Sequence, residues 1–172
     1  QKQSKLLKKE NNLWLAFSPI KKIPQDMMIQ KTTELGIQKF IPLLCERSVV
    51  REINIERAKK IVTEASEQSN RISVPEILKI QNLESFLKSF PENGKLIFCD
   101  INCDSSNLKN VLSKKDPICI LIGPEGDFSE NERQLIVDHK KTTSISLAKN
   151  ILRAETAAIS ATTILSYNLN SR

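Results

Sequence analysis

Glycine is scarce in this chain, at 4 of 172 residues, and histidine is represented by His139 alone. No G-x-x-x-x-G-K-[ST] and no G-x-G-x-x-G occurs, which excludes a P-loop and a dinucleotide fingerprint. The four cysteines, Cys45, Cys99, Cys103 and Cys119, form no C-x-x-C pair, and with one histidine they give no zinc signature. No metal is therefore expected, and the thiols read as reduced and structural, as in a cytoplasmic protein. No apolar run approaches the ~20 residues of a membrane span, and no signal peptide opens the chain. Neither a membrane nor an export route is expected.

What is present is the composition of a globular domain, 40% hydrophobic and 27% charged. The net charge of +6 is uneven: residues 1–60 hold 13 Lys/Arg against 6 Asp/Glu, and the remainder is close to neutral. A basic N-terminal third on a neutral body fits a polyanion-facing surface, RNA among the candidates, and equally a solvated basic face.

Residues 1–24 read as a lysine-rich tail or linker carrying one apolar strand at 12–17 (NLWLAF). A helix beginning at Gln25 or Asp26 is closed by Gly36, a strand covers 39–44 with Pro42 marking an edge or an irregularity, and an amphipathic helix covers 54–70. Asn82 caps a shorter helix. From Lys95 the rhythm is strict: strands KLIFCD, PICILIG and TTSISL alternate with helices SSNLKNVL, SENERQLIVDH and ETAAISATTILSYNL. Continuous apolar strands alternating with helices predict an α/β fold, a parallel sheet flanked by helices.

Ligands of such sheets bind beyond the carboxyl ends of the strands. Two strand ends are unusual. Residues 122–132 (IGPEGDFSENE) hold two of the four glycines, stiffened by Pro124 and followed by a Ser129/Glu132 capping box. Residues 144–158 (SISLAKNILRAETAA) join a strand to a helix through Arg153-Ala154-Glu155. There Glu155 suits the helix dipole, and Arg153 has either a salt bridge or a ligand to serve.

IGPEGDFSENE followed by SLAKNILRAETAAISA resembles the two signature motifs of the bacterial 16S ribosomal RNA (uracil-N3)-methyltransferase family, of the SPOUT superfamily. The resemblance extends upstream to IQKTTELGIQKFIPLLCERSVVR and EASEQSNRISVPEI, and so covers residues 29–165. Asp127 stands where the family usually has a second paired glycine, and Ala148 where it has glycine, so a Cβ at 148 is expected to crowd a cofactor or the turn. The resemblance implies a SPOUT domain over 25–172 with a C-terminal deep trefoil knot. A PUA-like N-terminal barrel is largely absent, with residues 12–17 as the candidate for its exit strand.

It also implies S-adenosylmethionine as cofactor, a homodimer with the substrate site between subunits, and methylation of N3 of a uridine in small-subunit rRNA. Backbone of Ile122, Gly123, Pro124, Gly126, Leu147, Ala148, Ile151 and Leu152 is suited to hold the adenine edge, with the branched side chains covering its faces. Arg153 and Glu125 are the catalytic candidates, one to stabilise negative charge and one to accept a proton. Lys31, Arg47, Arg51 and Arg71 are candidate RNA contacts, and apolar residues along the last helix are candidates for a dimer face. Two alternatives are a non-catalytic RNA-binding or assembly module of the same fold and a SPOUT enzyme acting on tRNA.

Overall fold

The strands are apolar on both sides because the sheet is covered on both sides. In the structure, a computed structural model, the described residues are 11–104, 108, 112 and 115–171. The tail at 1–10 and most of the helix expected at 105–112 lie outside them.

The strands are β1 (Leu13–Phe17), β2 (Ile37–Leu44), β3 (Glu76–Ile77), β4 (Gln81–Asn82), β5 (Lys95–Cys99), β6 (Ile118–Ile122) and β7 (Thr142–Ile145). The helices are α1 (Lys22–Glu34), α2 (Ile55–Gln68), α3 (Leu83–Lys88), α4 (Glu130–Asp138) and α5 (Ala154–Asn170). Every strand pairing is parallel, in the order β3-β2-β1-β6-β5-β7 with β4 also on β2.

Alternation along β6 shows the two faces directly. Ile118, Ile120 and Ile122 join a core with Met28 and Ile29 of α1, Ala58 and Val62 of α2 and Ala158 and Leu165 of α5. Cys119 and Leu121 join the opposite core with Phe86 of α3 and Ile136 of α4. Helices on each face remove the polar side that an exposed sheet would show.

Three expectations change. Leu13–Phe17, the candidate exit strand, is an interior strand of this sheet: β1 is hydrogen-bonded between β2 and β6, and Leu15 and Ala16 are fully buried. Helix α1 starts at Lys22, three residues early, because Pro24 falls in the first turn, where its missing N–H has no intrahelical partner to lose. The apolar residues of α5 mostly face inward, since Ala158, Ala161, Leu165 and Leu169 are core residues.

Other local signals act as expected. Gly36 takes φ +110° after α1 and Asn82 accepts from the Ser85 amide at the start of α3, while Asn54, read as the first residue of a helix, is the N-cap of α2 and accepts from the Arg57 amide. Pro42 lies where the strand beside β2 is interrupted, between β3 and β4, so no ladder bond is lost there.

Candidate active site

A parallel sheet gathers its strand ends at one edge. At that edge β6 runs into residues 123–129, whose shape follows from close packing. The Phe128 ring is buried against Phe98, with centroids 5.6 Å apart, and lies directly under Gly123. A Cβ on Gly123 would sit 2.8 Å from the ring, so only glycine fits.

The left-handed residue of this loop is neither glycine. It is Asp127, at φ +60°, whose Oδ1 accepts from the Phe128 amide at 2.8 Å. Aspartate tolerates this region better than most residues through such local bonds, which explains how it occupies a position the resembled family gives to glycine. Ser129 and Glu132 then close a reciprocal capping box at the start of α4.

Beyond β7 the chain crosses 146–153 in irregular conformation and enters α5 with Arg153 as N-cap. Ala148 is exposed and outside the left-handed region, so its backbone needs no glycine. The Ser146 hydroxyl donates to the Ala148 carbonyl at 3.3 Å.

The two loops line one cavity of about 580 Å³, within the usual range for a small-molecule site. All eight residues expected at a cofactor lie on its wall: Ile122, Gly123, Pro124 and Gly126 from one loop, Leu147, Ala148, Ile151 and Leu152 from the other. Arg153 and Glu125 lie on the same wall, both exposed and without an ion pair to a described residue. Glu155 lies in the first turn of α5, as its helix-dipole reading requires, is buried there and makes no bridge to Arg153.

The two loops do not stem from adjacent strands, because β5 lies between β6 and β7. A third strand end therefore completes the cavity: Cys99, Asp100 and Ile101, which sequence reasoning missed. Asp100 is buried, and its carboxylate accepts from the Asn102 amide at 2.9 Å and from Arg133 Nη2 of α4 at 2.5 Å. This bond ties the β5 end to the helix that follows the glycine loop. The available signal was an acidic residue directly after an apolar strand, but only the strand order gives it meaning. Burial pushes the Cys99 thiol up to about 12, so it enters the wall as an apolar group.

The four basic candidates separate. Arg47 lies beside the cavity, with Nη1 donating to the Gly126 carbonyl at 3.3 Å. Arg51 is exposed and has no partner among the described residues. Lys31 is exposed on α1 and bridges Glu34 at 3.0 Å. Arg71 is turned inward: its Nη1 donates to the Thr33 and Ile37 carbonyls at 2.7 and 2.6 Å, joining the end of α1 to the start of β2. That bonding gives Arg71 a structural duty between α1 and β2. Among the described residues no group of three His, Cys, Asp or Glu could hold a metal ion, and no helix is long and apolar enough to cross a membrane.

Comparison with known proteins places this geometry. The chain is 40% identical over 156 residues to ribosomal RNA small subunit methyltransferase E of Rickettsia conorii, covering 88% of this chain and 63% of that protein. It is 35% identical over 144 residues to the protein of the same name from Aquifex aeolicus, covering 81% and 61%. The crystal structure of a ribosomal RNA small subunit methyltransferase E from Neisseria gonorrhoeae, bound to S-adenosyl methionine, superposes with a TM-score of 0.82 at 32% identity, covering 91% of this chain and 66% of that one. The chain thus spans somewhat less than two thirds of the length of these relatives, and its sheet is that of SPOUT methyltransferases. The sequence model of the RNA methyltransferase domain matches residues 8–166, and the chain belongs to that family.

Proposed function

We propose that this chain is the catalytic domain of an S-adenosylmethionine-dependent methyltransferase that modifies N3 of a uridine in 16S ribosomal RNA. The observation that carries the reading is the convergence of the 122–127 and 147–153 loops on one cavity of about 580 Å³. The named relatives supply the substrate class.

The residues present fit the cofactor. Ile122, Leu147 and Leu152 offer apolar surfaces for adenine, and the backbone of Gly123–Gly126 and of 147–152 offers edge donors and acceptors. Glu125 and Asp127 are acidic residues of the wall, suited to ribose hydroxyls or to a sulfonium charge. When bound, the cofactor supplies an electrophilic methyl group on a sulfonium.

The rest of the chemistry belongs to the chain. Uracil N3 carries a proton in the neutral base, and its removal leaves negative charge on the flanking carbonyl oxygens. Arg153 stabilises that charge as a fixed cation with planar donors, and Glu125 accepts the proton directly or through one water. The target uridine is unpaired, because N3 is blocked in a base pair. Arg47, beside the cavity, and the exposed Arg51 grip phosphates.

The same reading includes three features taken from the resemblance, a preceding PUA-like domain, a trefoil threading of the C-terminal segment and a homodimer, together with the cytoplasmic location read from the cysteines. Exposed Ile164 and Tyr167 of α5 support the homodimer, at 37% and 72% exposure.

The test is nucleoside mass spectrometry of 16S rRNA from cells lacking the gene. Missing N3-methyluridine, restored by the wild-type gene and not by an Arg153→Ala copy, is the expected result. Calorimetry of this chain with millimolar S-adenosylhomocysteine is the second arm, and absence of heat from folded protein overturns the cofactor assignment.

A further inference from the structure

Glu132 is among the few charged residues buried in the described part of the chain, at 6% exposure. As the third residue of α4 it accepts from the Ser129 amide through Oε2 at 3.1 Å, which completes the capping box. Its Oε1 does something a cap does not require. It accepts from the Glu46 amide at 2.8 Å, reaching across 86 residues of sequence to the turn that follows β2.

That turn is the one carrying Arg47. It is fixed from below by Ser48, whose hydroxyl accepts from the Cys45 amide at 2.9 Å and bonds the Ser18 hydroxyl at 2.7 Å. From above it rests on the glycine loop: Arg47 donates to the Gly126 carbonyl, and a Cβ on Gly126 would lie 3.6 Å from Arg47 Cβ. Burial, and then the nearby Glu132 carboxylate, push the Cys45 thiol up to about 12. A buried carboxylate at a helix N-terminus, bonded by two amides, is charge-assisted and rigid.

We propose that Glu132 is a positioning residue that locks the Arg47 turn, residues 45–48, onto the cofactor loop, so that filling the cavity and ordering the RNA-gripping arginines are one linked event. This rests on the cofactor reading given above. Gly126 is a wall residue of the cavity and also the seat of Arg47, and Glu132 anchors both segments to the first turn of α4. A ligand that favours one arrangement of a shared element favours it for the other site as well, and the linkage is reciprocal.

Hydrogen exchange measured by mass spectrometry on this chain, with and without saturating S-adenosylhomocysteine, tests the link. In wild type the ligand slows exchange of a peptide spanning 45–51 by about fivefold or more, the low end of ordinary coupling between sites. Glu132→Gln presents an amide donor to one of the two backbone amides, and the slowing at 45–51 is lost while the ligand still binds. Ser129→Ala, which weakens the same helix cap without touching the Glu46 bond, keeps the slowing. Should Glu132→Gln fail to fold, Glu132→Asp replaces it, its shorter arm capping α4 without reaching Glu46. If wild type binds no ligand by calorimetry, the cofactor reading falls and the proposal with it. If ligand binds and exchange at 45–51 is unchanged, or if the Glu132 variant transmits as wild type does, the proposal is overturned and the cofactor reading stands.

Discussion

Gly123→Ala is the substitution whose outcome the structure constrains most tightly. The added Cβ would lie 2.8 Å from Phe128 Cε2 and 3.0 Å from Cδ2, inside the closest real contacts. The ring cannot simply step aside, because it is 4% exposed and packed edge-on against Phe98. Overpacking of this kind costs about 1–3 kcal/mol, equivalent to roughly 2–12 °C in Tm for a domain of this size. The displaced segment is the cavity wall, so cofactor affinity falls as well. Gly126→Ala is the control, since its Cβ meets nothing closer than 3.6 Å and its φ is not left-handed. It is expected within about 0.5 kcal/mol of wild type, as for substitutions that create no clash. Urea unfolding of both variants, with Phe128→Leu and the Gly123→Ala/Phe128→Leu double variant, closes a double-mutant cycle. A smaller side chain at 128 should relieve the clash, leaving the double variant at least about 0.5 kcal/mol more stable than additivity requires. Strict additivity, or a Gly123→Ala midpoint equal to wild type, refutes the packing argument.

Four further outcomes follow from the same geometry. Arg153→Ala leaves S-adenosylhomocysteine affinity within a few-fold by calorimetry but lowers methyl transfer to 30S particles by ~10²-fold or more; Arg153→Lys, which loses the planar fork, rescues it poorly, and a fully active lysine variant ends the assignment. Arg71→Ala costs about 2 kcal/mol or more by urea unfolding, because two backbone carbonyls lose a charged donor, while RNA affinity in a filter-binding assay is unchanged; weakened RNA binding at full stability would return Arg71 to the RNA surface. Asp127→Gly is expected within about 1 kcal/mol of wild type and Asp127→Val lower by about 1–2 kcal/mol, since a β-branched residue is poorly tolerated at φ +60°; equal stabilities would contradict this. Finally, burial raises the Cys45 thiol from 9.0 to about 12, so it stays protonated and resists iodoacetamide at pH 8, with ~10⁻⁴ as thiolate against ~10⁻¹ for an ordinary thiol. The stability it contributes is complete below pH 9.0 and is lost as pH climbs toward about 12, because the unfolded chain releases its proton first.

What the sequence determined by itself were the features set by neighbours within a few residues. Asn82 and the Ser129/Glu132 pair mark helix starts because a side-chain oxygen reaches an amide three residues on. The apolar runs at β5 and β6 mark buried strands, and the motif resemblance marks both cavity loops. The tertiary structure decided everything that depends on which strands lie side by side. Parallel neighbours carry no hairpin turn to announce their pairing, so nothing local reveals that β1 sits between β2 and β6, or that β5 separates β6 from β7. For that reason Asp100 went unnoticed as a cavity residue, and Leu13–Phe17 looked like the edge of something else. Arg71 shows the same limit from the other side. Its charge suggested RNA, but its duty depends on two carbonyls, Thr33 and Ile37, more than thirty residues away, which only the packing of α1 against α2 brings within reach.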